Sequence, residues 1–503
     1  MLNFDNTDSI MRSIIFTSLN FVKLNRNYYQ TPEGVFLGSD EPQDLGFTRK
    51  MRLSHNDYLK IAFPFIVSTV TQPLLGAVDT AVVGQLGVAE LIGGVAIGTV
   101  IMNTLYWLFG FFRVSTTGQS AIALGKNDVQ EQASSLLRPF MLALIVGLFF
   151  ILMQPLIWQG AMLIISPEES VAVHANTYFG IMIFGAPFVL LNYVLIGWLM
   201  GQAKAKATLF TQVFGNVLNI VLDIVFVYYF DLGVAGVAYA SLIAQVTTFA
   251  IGTYLVINTS KFSLREHISL VKMSRADLGV IMSSNMDLLL RTVCILVFFN
   301  MMARVGSSLG SDVLAANAIM MQVTFIVSYM FDGVANASSV FAGKAVGKKD
   351  ATLLEDVIKR NTQWTTGFVV VLTLLTFVFK EQIVLLFTDI PALLEIYLDM
   401  SIWLIVFPLV AGYGLTFYGI FTGTGTTRPV RNSSFITLMV FLVVQFVAVG
   451  LWGNHGLWLA FTLFYIGRFV FLYPYIGQIK DRCLADMLYH SVQYLGYSPH
   501  CTA

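Results

Sequence analysis

The sequence predicts an all-α polytopic membrane protein, with twelve transmembrane helices in two pseudo-symmetric six-helix bundles. Three observations carry that expectation. Of the 503 residues, 56% are hydrophobic and 12% charged, and the mean hydropathy is +0.74. A soluble globular chain carries about a quarter charged residues, so this one needs the bilayer as its solvent. Apolar stretches long enough to cross a bilayer, about 20 residues each, follow one another from residue 58 onward. The loops between them alternate between basic and non-basic.

The expected spans are 58–83, 91–124, 135–158, 175–200, 207–230, 235–257, 284–304, 313–343, 362–387, 394–422, 433–452 and 457–478. Loops on one side hold Lys126, Lys204, Lys206, Lys261, Arg265, Lys348, Lys349, Arg428, Arg431 and Lys480, among others. The alternate loops at 85–90, 160–173, 231–234 and 453–456 contain no lysine or arginine, and only Arg304 and Lys380 fall near that side. Positive loops stay cytoplasmic, which places both termini inside.

Residues 1–50 are polar and acidic, unlike a signal or transit peptide. Met51-Arg52-Leu53-Ser54 resembles a natural start, so the segment before it is expected to be a disordered extension. The remaining division is an amino-terminal lobe at 51–258, a linker at 259–283, a carboxy-terminal lobe at 284–479 and a tail at 480–503. Net charge is zero, which gives no sign of a nucleic-acid partner. Three scattered cysteines (Cys294, Cys483, Cys501) fit neither a disulfide framework nor a metal cluster.

The halves resemble each other at an offset near 222 residues. Gly125-Lys126-Asn127-Asp128 matches Gly347-Lys348-Lys349-Asp350, and Pro187, Gly197 and Gly201 match Pro408, Gly419 and Gly423. Leu232-Gly233-Val234-Ala235-Gly236 matches Trp452-Gly453-Asn454-His455-Gly456. Six spans per half is an even number, so the halves are related by an axis along the membrane normal, with a cavity available between them. The two G-x-x-x-G pairs are read first as close helix packing.

Ionisable groups inside spans are costly, and each is a functional candidate. Asp79 stands toward the outer end of the first span without a basic neighbour in sequence, a candidate proton acceptor or a carboxylate that merely bonds neighbouring helices. Pro64 and Pro73 on the same helix make a bend available. Asn219 and Asp223 lie one turn apart on the fifth span, and Ser241 on the sixth adds a hydroxyl. Carboxylate, amide and hydroxyl oxygens together suit a hard cation such as sodium, or a proton; plain helix packing is the alternative. Asp287 and Arg291, at i and i+4, are expected to form a structural ion pair. Arg113 and Asp332 are candidates for a cavity or second polar site. Met301 and Met321, within a methionine cluster on the seventh and eighth spans, could line a promiscuous pocket or fill the core.

Nucleotide chemistry is not supported. Gly343-Lys344-Ala345-Val346-Gly347-Lys348-Lys349 is one residue short of a phosphate loop and lacks its Ser or Thr. Gly306-Ser307-Ser308-Leu309-Gly310 fits a nucleophile-elbow pattern but falls between helices. The six histidines show no metal spacing. A membrane-embedded enzyme would gather catalytic residues at one membrane face, and no such cluster is visible.

The chain resembles the multidrug and toxic compound extrusion (MATE) family, and its DinF-like branch in particular, from residue 55 to about 478. The most telling stretches are Pro73-Leu74-Leu75-Gly76-Ala77-Val78-Asp79-Thr80-Ala81-Val82-Val83-Gly84, Phe111-Phe112-Arg113-Val114-Ser115-Thr116-Thr117-Gly118 and Gly215-Asn216-Val217-Leu218-Asn219-Ile220-Val221-Leu222-Asp223. The resemblance implies two helical lobes around a central cavity, exporting organic cations or lipophilic small molecules in exchange for H+ or Na+, with no cofactor. It implies a monomer in the bacterial inner membrane, with Asp79, Asn219, Asp223 and Ser241 at the cation site and Pro64 at the bend. Ion and cationic cargo would then compete for one buried negative charge. A lipid-linked precursor flippase of the same superfamily is the alternative; it would favour a basic cavity, whereas the intramembrane charges read from the sequence are mainly acidic.

Overall fold

The computed structural model describes residues 52–84, 88–260, 275–388 and 390–481; the side chains of residues 73–81, 83, 84, 89 and 275–282 are not among those described. The expected extension at 1–50, most of the linker and most of the tail lie outside the described residues.

The first lobe is built from α1 (His55–Gly84), α2 (Ala89–Leu108), α3 (Phe111–Lys126), α4 (Val129–Leu152), α5 (Gln154–Ile165), α6 (Glu169–Met182), α7 (Ala186–Gly201), α8 (Ala205–Ile224) and α9 (Gly233–Thr259). The second comprises α10 (Arg275–Ser308), α11 (Ser311–Lys348), α12 (Ala351–Leu385), α13 (Pro391–Gly423) and α14 (Arg428–Val470). Among the described residues, ten helical stretches are long and apolar enough to cross a membrane. The last of these, Arg428–Asp481, reverses at Gly453 (φ 54°, ψ −127°) and contains two crossings, and α1 supplies one more. Twelve crossings result. The reversal is tight: a Cβ on Gly456 would collide with the Ala448 carbonyl, eight positions earlier.

Several spans are interrupted where the sequence reads as continuous. The second breaks at Phe109-Gly110, where the two amides bond i−3 carbonyls, Tyr106 O and Trp107 O, and close a tight turn between α2 and α3. The third ends at Leu152, because Pro155 cannot donate to a continuing helix. A separate α5 then extends to Ile165, into a stretch expected to be loop. The fourth narrows to a 3₁₀ turn at Ile183–Gly185 just before Pro187, for the same reason. By contrast α1 stays helical through both Pro64 and Pro73.

The internal repeat is physical. Asn127 and Lys349 both end their helices in the left-handed region (φ 53° and 55°). Asp128 and Asp350 then cap the next helix, accepting from Gln130 and Glu131 amides and from the Leu353 amide. Gly233 and Gly453 share φ values of 53° and 54°. Gly197 packs on the Arg113 carbonyl and Gly419 on that of Ala335; Gly201 packs on the Thr117 carbonyl and Gly423 on that of Ser339. Each contact in one lobe is the other's shifted by the repeat offset, so both G-x-x-x-G pairs serve backbone-to-backbone packing.

Large apolar side chains are exposed along the spans, as lipid requires: Phe446 is 86% and Leu451 67% exposed. One apolar core joins the first lobe to parts of α11, α12 and α13, and a second fills the other lobe around Phe298, which stacks on Phe464 at 3.9 Å. The lobes close on each other at the end carrying the basic loops. There Gly125 and Gly347 meet, each position where a Cβ would stand lying 2.9 Å from the other's Cα. The Leu53 amide donates to Asp356 (3.0 Å), Arg360 donates to the Leu53 carbonyl (2.9 Å), and the Tyr58 hydroxyl reaches Ser338 (2.7 Å).

Candidate functional site

Two polar sites emerge, one inside the first lobe and one between the lobes. Inside the lobe, α8 places Asn219 and Asp223 one turn apart, facing α9. The Asn219 amide donates to Asp223 Oδ2 (3.1 Å) and to Ser241 Oγ (3.3 Å). All three side chains are buried, Asp223 completely. The chain leaves α-helical geometry immediately afterwards: residues Val225–Tyr229 form a π turn. Such turns are rare and concentrate at functional sites; nothing in the sequence pattern announces this one. Helix α1 packs against α8, with the Asn216 amide donating to Thr71 Oγ1 at 3.2 Å. Asp79 and Pro73 belong to α1, but their side chains lie outside the described residues. The structure thus gathers Asn219, Asp223 and Ser241 and sets α1 alongside them.

Between the lobes, a cavity of about 80 Å³ is lined by Arg113 from α3, Arg291 from α10, Asp332 and Asn336 from α11 and Tyr418 from α13, among others. Arg291 lies over the Tyr418 ring, 4.0 Å from its centroid. Arg468, 5% exposed on α14, is close enough to act electrostatically on both Asp332 and Arg291. Two guanidinium groups therefore share the cavity with one carboxylate, and a third, that of buried Arg468, stands behind the lining.

Several expectations change here. The Asp287–Arg291 pair does not form. Asp287 accepts instead from Arg431 (2.7 Å) and the Thr427 hydroxyl (2.8 Å), leaving Arg291 to the cavity. Helical spacing brings two residues within reach, but a partner from another helix competes, here Arg431 at the head of α14. Met301 and Met321 pack against the second lobe's core and are absent from the cavity lining. Arg113 and Asp332 do meet, at one cavity. Its lining carries two arginines against one aspartate, not the mainly acidic charge that the sequence suggests, because Arg291 is not neutralised by Asp287. Buried Arg468, absent from the sequence reading, stands nearby. An ionisable residue inside the expected twelfth span was the available signal.

A two-lobed polytopic membrane protein with a polar site within one lobe and a charged cavity between the lobes is organised as a transporter. The comparisons give the family. The sequence profile described as MatE matches residues 64–225 and again residues 288–447, once in each lobe. DNA damage-inducible protein F of Escherichia coli (strain K12) is 33% identical over 404 residues, which cover 80% of this chain and 88% of that protein. A Thermotoga maritima protein named probable multidrug resistance protein NorM is 22% identical over 416 residues, covering 79% of this chain and 87% of its own. The fold matches a solved structure titled the outward-facing conformation of a multidrug resistance MATE family transporter, with a TM-score of 0.77 at 21% identity, over 87% of this chain and 100% of that one. The chain belongs to the MatE family. It is a multi-pass membrane transporter, not an enzyme.

Proposed function

We propose that the protein is a secondary active exporter that moves small amphipathic molecules out across a bacterial inner membrane in exchange for H+ or Na+. The observation that carries this reading is the buried Asn219–Asp223–Ser241 cluster. A carboxylate, an amide and a hydroxyl gathered away from water offer the oxygen ligands that a proton or a hard cation takes. A site whose occupancy changes with a gradient is what gradient-driven transport needs. The carboxylate of Asp79, on the helix packed against α8, is the expected second member.

Coupling follows from linkage. Cation binding at the first-lobe site favours one arrangement of α1, and α1 with the residues just before it also holds the other lobe at the basic-loop end through Tyr58 and Leu53. Cargo binding between the lobes favours the other, so each ligand promotes release of its counterpart. With the basic loops cytoplasmic, the lobes here are closed toward the cytoplasm and the termini lie inside. A second reading, a flippase for lipid-linked precursors, draws support from one observation: the basic interlobe cavity.

The test is transport in proteoliposomes under separately imposed pH and sodium gradients. Wild type should accumulate a fluorescent amphiphile when one gradient is applied, and Asp223→Asn and Asp79→Asn should lose that response while remaining monodisperse. Undiminished gradient-driven transport by both variants would sink the reading.

A further inference from the structure

We propose that the interlobe cavity is a receptor for the anionic headgroup of an amphipathic substrate: a carboxylate, sulfonate or phosphate. The proposal deepens the exporter reading and rests on it. Its first ground is charge. Arg113 and Arg291 line the cavity with one carboxylate, Asp332, while buried Arg468 adds a third cation nearby, and Asp287, on the same helix as Arg291, is already held by Arg431. Cations held within the membrane without counter-ions are costly, a cost that an anionic ligand would offset.

The second ground is unspent donors. Arg113 Nη1, Arg291 Nε and Asn336 Nδ2 are buried with no hydrogen-bond partner among the described residues. All three atoms are N–H donors, so the matching ligand is rich in acceptors. Arg113 belongs to one lobe and the other two to its counterpart, so an anion held among them bridges both. Stacking of Arg291 on Tyr418 fixes the plane of its guanidinium without consuming its N–H groups.

Geometry supplies the amphipathic part. Trp107, Phe299 and Phe325 form an aromatic cluster between the lobes, with ring centroids 5.2–6.5 Å apart. Phe325 is seven residues before Asp332 on α11, and Phe299 eight after Arg291 on α10. Both separations are close to two helical turns, which puts the aromatic cluster about 10–12 Å along the helices from the charged cavity. A cavity of about 80 Å³ accommodates one compact ionic group and no hydrophobic body. The charged end of the cargo sits among the arginines, and its apolar body takes the place of the aromatic contacts when the lobes part.

The experiment uses the full-length protein in nanodiscs and two probes sharing one dansyl body and linker, one ending in a sulfonate and the other in a trimethylammonium. Wild type should bind the sulfonate in preference. Arg113→Gln and Arg291→Gln should each weaken it about ten- to a hundredfold, the loss of a charge-assisted hydrogen bond. Arg113→Lys and Arg291→Lys should recover part of that affinity, separating recognition from folding, and Asp332→Asn should tighten sulfonate binding. Preference for the trimethylammonium probe, or sulfonate affinity unmoved in both glutamine variants, overturns the proposal. If the same proteoliposomes still move the trimethylammonium probe along an ion gradient, the exporter reading survives that failure. If neither probe responds to a gradient, the exporter reading fails even where sulfonate binding depends on the arginines. Competition with polyprenyl phosphate in the disc assigns the source: displacement of the sulfonate indicates a lipid headgroup, and no displacement a free amphiphile.

Discussion

Replacing Arg431 with glutamine should destabilise the protein, whereas replacing Arg291 should not. Asp287 is 4% exposed on its side chain, and its two oxygens are taken by Arg431 at 2.7 Å and by Thr427 at 2.8 Å. Removing the guanidinium leaves a buried carboxylate with a single hydroxyl partner. Breaking a fully buried pair costs about 3–5 kcal/mol. Arg431, however, is 37% exposed, so water refills part of the gap and about 2 kcal/mol is the expected loss. Asp287→Asn in the same background removes the stranded charge, so the double variant should recover much of the loss, a coupling that a double-mutant cycle isolates. The assay is thermal unfolding of the full-length protein in detergent, where the single variant should lose a few degrees of apparent Tm. An Arg431→Gln protein as stable as wild type, together with a severely destabilised Arg291→Gln, would refute this reasoning and restore the pair predicted from helical spacing.

Other expectations are simpler. Gly197→Val and Gly419→Val each place a side chain against a backbone carbonyl, of Arg113 and Ala335 respectively. Overpacking of this kind costs about 1–3 kcal/mol, so both should reduce monodisperse yield on size exclusion to a similar degree; a loss confined to one lobe would contradict the repeat. Tyr58→Phe removes the 2.7 Å bond to Ser338 between the lobes. At about 1 kcal/mol, that shifts the balance toward opening at the basic-loop end about fivefold. Spin labels at Lys126→Cys and Lys348→Cys should show a broader, longer distance distribution, and an unchanged one would remove the contact from the closure mechanism.

Composition, span length and loop charge were enough to read the architecture, because lipid leaves an α-helical chain few alternatives. The repeat was equally legible, since glycines and capping aspartates reveal themselves by type and spacing. Interruptions were harder to see. Pro155 and Pro187 mark two of them in retrospect, but the break at Phe109-Gly110 and the π turn after Asp223 have no residue signature distinct from ordinary membrane helix. At the sites, Asn219 and Asp223 could be joined because one helix presents both, and Ser241 joins them across α9. The partner of Asp287 depends on which distant helices lie together; Arg468 is visible in the sequence as an ionisable residue within a span, but its nearness to the cavity depends on the same packing. Sequence spacing reports neighbours within a helix, and the interlobe cavity takes its lining from several helices of both lobes.

The most direct test of the coupling argument is whether cargo and cation alter each other's binding on the purified protein. Substrate affinity should change with pH or with sodium concentration about 5- to 150-fold, the usual range of coupled sites, and cation affinity should change by the same factor on adding substrate. Asp223→Asn should abolish both effects and still bind substrate. Wild-type substrate affinity that stays constant across pH and sodium would contradict the exchange account while leaving the two-lobed fold untouched.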